Sequence, residues 1–221
     1  MQSRHPEARS AVLSVVGAAI LFLLSGCDAR LHSAASDGDE REASSLIAAG
    51  ANVNAREVEG ETPLMYAAAA GRTKMVLFLL ERGADINAIS DNGETALVRA
   101  GGDTEVVRAL LEKGANVELG APLISASYSG QLDTVKILLE KGANPNAELL
   151  GGDTALIAVA VQSASIEVAK KLIAAGADVE HKNKQGKTAE MLAVENGHQD
   201  LAELLRKAAK KRSGLTAPSP D

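Results

Sequence analysis

The chain repeats itself. An aliphatic pair followed three residues later by Gly-Ala-Asn or Gly-Ala-Asp recurs at Gly50-Ala51-Asn52, Gly83-Ala84-Asp85, Gly114-Ala115-Asn116, Gly142-Ala143-Asn144 and Gly176-Ala177-Asp178, and a sixth unit ends at Leu204-Leu205 without its Gly-Ala. The intervals of 33, 31, 28 and 34 residues are those of a solenoid. A unit of that size cannot bury a hydrophobic face alone and must stack on its neighbours. The phrase therefore points to an elongated scaffold rather than to a domain closed around one cavity.

The second unit reads physically from end to end. Thr62-Pro63 opens a helix, with Thr as cap and Pro at a first-turn position whose missing N–H needs no partner. Leu64, Ala67 and Ala68 give a short helix whose small residues let a neighbour approach, and Gly71 ends it. Met75, Val76, Leu79 and Leu80 then recur at helical spacing as a core stripe, and Gly83 supplies the positive-φ stop. The polar stretch that follows centres on Asp91-Asn92-Gly93, a hairpin-type turn. The unit is helix, turn, helix, hairpin.

Thr62-Pro63-Leu64-Met65-Tyr66-Ala67-Ala68 resembles the TPLHxAA phrase of the ankyrin repeat, Leu31-His32-Ser33-Ala34-Ala35 keeps its His, and Gly197-His198 matches its inter-helix Gly-His. The resemblance covers residues 29 to 207 and implies an all-α solenoid of about six helix-turn-helix units with hairpin fingers. It also implies recognition of a protein partner rather than catalysis, without naming that partner. The pattern breaks in the middle. Ala121 stands in place of Thr only seven residues after Gly114, where the other units leave twelve. Gly101-Gly102 falls where the third unit's first helix should still be running. The third repeat is expected to be degenerate and the row of fingers notched, either through drift or to admit a partner's protruding element.

The N-terminus carries a second signal. Arg4 and Arg9 precede an apolar run of 14 residues, Ala11 to Leu24, which ends in Leu24-Ser25-Gly26-Cys27. Fourteen residues fall short of the roughly 20 a spanning helix needs, so the segment reads as an export signal over residues 1–26. Leu-Ser-Gly-Cys resembles a bacterial lipobox, which implies acylation of Cys27, the sole thiol, and cleavage before it. Asp28, paired with Cys27 as the attachment site 27–28, resembles the inner-membrane retention signal of enteric lipoproteins. That rule varies among bacterial groups, so inner and outer membrane both stay open. The expected location is the periplasmic face of the cell envelope, with the first repeat close to the headgroups because no linker separates it from Cys27.

Losing Arg4, Arg9 and Glu7 with the signal would take the formal charge from −6 to −7. That balance is hostile to nucleic acid. A single Cys leaves no intrachain disulfide to form. No His pair has metal-ligand spacing, and Gly101-Gly102 and Gly151-Gly152 lack the Gly-Lys-Ser/Thr of a phosphate loop. The reading is a non-enzyme with no cofactor, metal or small-molecule substrate, and a monomer. At the other end, 208–221 reads as a basic helix end, with Lys210, Lys211 and Arg212 meeting the helix dipole, followed by a tail expected to be disordered.

Carried over residue by residue, the resemblance places partner contacts on finger tips and exposed first-helix positions. These are Arg56, Val58, Glu59 and Glu61, then Asp91, Asn92 and Glu94, then Glu148, Leu150 and Asp153, with Lys182, Lys184, Gln185 and Lys187 on the last finger. The groove should be acidic over five units and basic at the last, suited to a partner with a basic surface. Tyr128 is the one aromatic at a groove position, either a hot spot or a cover for the short third repeat. Two functions remain: a lipid-anchored module that holds or regulates a partner, and an immunity protein that neutralises a toxin or hydrolase.

Overall fold

The computed structural model describes residues 26–212. Among these residues there are twelve helices and no strand: α1 over residues 26–37, α2 Glu40–Ala48, α3 Pro63–Ala69, α4 Thr73–Glu81, α5 Ala96–Arg99, α6 Thr104–Glu112, α7 Pro122–Tyr128, α8 Leu132–Glu140, α9 Ala155–Ala158, α10 Ile166–Ala174, α11 Ala189–Glu195 and α12 Gln199–Arg212. The all-α repeat solenoid is thus the fold. First helices pack on first helices (α3 on α5, α7 on α9, α9 on α11), and second helices form a parallel row (α4, α6, α8, α10, α12). One continuous core runs from Leu31 to Leu205 between the two layers. The apolar run, its Arg4 and Arg9, and residues 213–221 lie outside the described residues.

The expected local chemistry is in place. Thr62 Oγ1 accepts from Met65 N at 3.4 Å, with Pro63 at the first helical position, and Thr95 and Thr188 repeat the cap. After α4, Gly83 turns at φ +87°, and the bonds Gly83 N→Leu80 O (3.1 Å) and Ala84 N→Leu79 O (3.0 Å) absorb the last carbonyls. Hairpin turns close without a strand ladder, as in Ser90 N→Glu94 O at 2.8 Å.

The leucine pairs behave less symmetrically than their sequence suggests. The first member of each is fully buried (Leu79, Leu110, Leu138), whereas Leu80, Leu111 and Leu139 only pack against the core from its edge. Adjacent helical residues point about 100° apart, so one stripe cannot hold both. Phe78 on α4 is half-buried, with the Arg82 guanidinium 3.4 Å above its ring. Tyr66 is also partly exposed; it meets His32 edge-on at 5.3 Å and donates to Glu57 Oε2 at 3.2 Å.

A ladder of side-chain to backbone bonds links successive units. Asp28 Oδ1 accepts from Asn52 N, Asn54 Oδ1 from Asp85 N, Asn87 Oδ1 from Asn116 N, Glu118 Oε1 from Asn144 N, and Asn146 Oδ1 from Asp178 N, all between 2.6 and 2.9 Å. At the far end Arg212 reaches back to Asp178 Oδ1 at 3.1 Å and Ala177 O at 3.4 Å, so the last basic residue clamps unit five instead of only capping its own helix.

Candidate protein-recognition surface

Irregular spacing shapes the surface. From Thr62 to Arg72 is ten residues, from Thr95 to Asp103 eight, and from Thr154 to Ser165 eleven. The short unit loses helix: α5 has four residues and ends at Gly101, φ +55°. The long unit keeps its register by a π-helical turn, Val159–Ser163, which absorbs the extra residue before Ala164 reverses at φ +48°. Single-turn π segments of this kind often mark functional sites. Here it lifts Gln162 toward Tyr128, whose hydroxyl lies 3.5 Å from Gln162 Oε1, and Ser163 Oγ donates to Ser127 O at 2.9 Å.

The fingers form two joined pairs with a gap between them. In the first pair, Asp91 N donates to Glu59 O at 2.8 Å, Asn92 Nδ2 to Glu59 Oε2 at 3.0 Å, and Arg56 to Ile89 O and Asp91 Oδ1 at 2.9 and 3.0 Å. Gly60, φ +70°, sits so close beneath this bridge that a Cβ would lie 2.4 Å from Asp91 Oδ1. In the second pair, Lys184 N donates to Gly151 O (3.0 Å), His181 Nε2 to Gly152 O (2.8 Å) and Asn183 Nδ2 to Asp153 Oδ1 (2.8 Å). Between the pairs the chain makes only a tight turn. Gly120 (φ +76°) and Ala121 (φ +56°) fold it back, and a Cβ on Gly120 would come within 3.0 Å of Gly93 O. The notch expected from the seven-residue interval is a real gap.

The acidic residues are not equivalent. Glu61 departs from the expected groove position: it is 8% exposed, and its carboxylate meets Arg99 Nη2 at 3.1 Å. The reason is Arg99, at the end of the shortened α5, which also takes Glu94 Oε2 at 3.3 Å and so gathers two acids beneath the fingers. Asp91 is exposed but paired with Arg56, and Asp153 is half-buried and committed to Asn183. Glu59 and Asn92 remain exposed, bonded to one another. Tyr128 stands 47% exposed beside a shallow depression lined by Ser129, Gly130, Gln162, Ser163 and Ser165.

Sequence reasoning placed Val58, 82% exposed, and Leu150 among the contacts but overlooked the rest of the apolar surface. Leu150 is 93% exposed and Leu149 47%, while Val161 on the π turn and Met191 and Val194 on α11 are also open. The eleven-residue interval was the available signal for Val161 and Gln162. On the two sides of the notch thus stand the acidic Asp91-Asn92 tip and the apolar Leu149-Leu150 tip, with Val58 and Lys184 at the outer tips of the two pairs. Cys27 lies in α1, partly buried against the core, and Asp28 is held by its bond to Asn52.

The sequence matches the family model for ankyrin repeats (three copies) over residues 11–90, 31–121, 88–148 and 123–214. The chain belongs to the ankyrin-repeat family. Among solved structures it is similar to a chain of the complex described as the Bd0816 predatory endopeptidase from Bdellovibrio bacteriovorus with immunity protein Bd3460. The identity is 33% and the TM-score 0.68, over 80% of this chain and 96% of that one. No curated protein is matched at a significant level.

Proposed function

We propose that this chain is an immunity-type protein that binds and inhibits a hydrolase in the bacterial envelope. The carrying observation is its 33% identity, across most of both chains, to a chain from a complex of an endopeptidase with its immunity protein. That favours the inhibitor reading over a module that merely holds a partner. The arrangement of the surface supports it as well, since two rigid finger pairs flanking a gap offer a preformed, non-catalytic interface. Ankyrin scaffolds act through such surfaces, and preorganisation reduces what must be ordered on binding.

Membrane attachment through Cys27 is part of the same proposal. Leu24 to Cys27 has the form of a lipobox, and an inhibitor tethered on the periplasmic face would meet an exported hydrolase before it reached the cell's own wall. Several acyl chains on one residue hold stably where a single chain is marginal. Metabolic labelling with a fatty-acid probe should mark the wild type and not Cys27→Ala; an unlabelled wild type removes the anchor from the proposal. For the inhibitory role, full-length protein should capture a hydrolase from envelope extracts of the source bacterium and reduce its activity at equimolar ratio. A captured hydrolase that stays fully active would defeat it.

A further inference from the structure

The tip position of each finger holds Val58, Asp91, Leu150 or Lys184, and only the third of these fingers carries a pair of large apolar residues there, Leu149-Leu150. Leu150 is 93% exposed among the described residues. Yet its turn is among the best braced on the surface. Leu149 N donates to Asp153 O at 3.0 Å and Gly152 N to Leu149 O at 2.8 Å, and the three bonds from His181, Asn183 and Lys184 hold the turn to the next finger. Gly152, φ +75°, is packed so tightly that a Cβ would lie 3.1 Å from Lys184 N. On its other side, where a further finger would stand, the chain between Asn116 and Ala121 makes only a tight turn.

We infer that Leu149-Leu150 is the anchor with which this chain enters an apolar pocket at the substrate cleft of the hydrolase it inhibits; the inference rests on the inhibitor reading above. A rigid convex apolar tip needs a concave apolar receptor. On an enzyme such concavities are few, and the substrate cleft is the principal one. The missing finger leaves room for a rim of the cleft beside the tip. Because the turn is already fixed, little conformational freedom is lost when Leu150 is buried, the condition under which one side chain becomes a hot spot. A bilayer is the poorer occupant. Two leucines on one turn bury little apolar area against lipid, and the turn is flanked by the carboxylates of Glu148 and Asp153.

The test places a photo-crosslinking amino acid in the full-length chain at position 150 and, separately, at 59, 128 and the opposite-layer position 112, with illumination in envelope preparations of the source bacterium. Position 150 should give a discrete adduct on a hydrolase peptide that lines its substrate cleft, and position 112 none. Leu150→Asp should raise the concentration needed for half-inhibition at least tenfold at unchanged melting temperature. If a hydrolase is crosslinked from 59 or 128 but not from 150, or if Leu150→Asp inhibits as well as wild type, the anchor is overturned while the inhibitor reading stands. If no position captures a hydrolase, or 150 crosslinks only to lipid or to a non-enzyme, both fall.

Discussion

A carboxylate's role here depends on which arginine it meets. Glu61 and Glu59 are two residues apart on one finger, but Glu61 lies under Arg99 while Glu59 faces solvent across from Asn92. Glu61→Ala should therefore cost about 1 kcal/mol, the usual net worth of one hydrogen bond, because Arg99 is about one-third exposed and keeps Glu94. Glu59→Ala should stay within about 0.5 kcal/mol, and urea denaturation of both variants would separate the two roles. Tyr66 gives a pH-dependent counterpart. Its phenol is held above the ordinary tyrosine value, first by desolvation and then by the Glu57 carboxylate. The folded state thus keeps this proton more tightly than the unfolded chain. Its contribution to stability is complete below pH 10 and is lost as the pH rises above 10 through the folded value. Tyr66→Phe should retain the ring contact with His32 and show a shallower loss of stability above pH 10 in alkaline melts.

At the level of the elements, helices of four to nine residues are too short to persist alone; only α1 and α12 are longer. They depend on the core stripe and on the ladder between units. Leu138→Ala should cost about 2–5 kcal/mol, and Leu139→Ala distinctly less, because only the first of the pair is enclosed. Asn54 both accepts from Asp85 N and donates to Gly83 O at 3.1 Å, so Asn54→Ala removes two bonds at one step of the ladder. A loss of roughly 1–3 kcal/mol is expected from the usual net worth of each bond; an unchanged denaturation midpoint would mean that water replaces the side chain without penalty. The π turn is the other element-level device. It converts a one-residue insertion into a local bulge, leaving α10 stacked on α8 and placing Gln162 beside Tyr128.

Across the whole molecule, a solenoid is only as cooperative as its weakest junction. Unit three has the four-residue α5, a positive-φ Gly101 and no finger of its own before unit four. Native-state hydrogen exchange should show the lowest protection of the interior units over α5 and the turn at 117–121, with higher protection on both sides. Uniform protection would show that α6 alone carries the junction. The same break divides the binding surface. The first finger pair is the acidic half, so Glu59→Lys with Asp91→Lys should slow association with the captured hydrolase several-fold and flatten its salt dependence. Tyr128→Ala should instead speed dissociation, and surface-binding kinetics at two ionic strengths would distinguish them.

Most of the architecture was legible because repeats are local. The Gly-Ala phrase, the Thr-Pro cap, the seven-residue interval at Ala121 and the Gly pair at 101 each act within one unit, where periodicity and backbone chemistry suffice to place helix, stop and missing finger. What tertiary structure alone decided was which side chains stay free. The burial of Glu61, the pairing of Asp91 with Arg56 and the commitment of Asp153 to Asn183 all depend on residues some 30 to 38 positions away, on other helices or fingers. No one-dimensional pattern records such pairings, because a charge's partner is set by how units stack. For the same reason the sequence placed Leu150 among the finger contacts without setting it apart from them, and only the folded chain, with a braced finger on one side and a gap on the other, left it standing in the open.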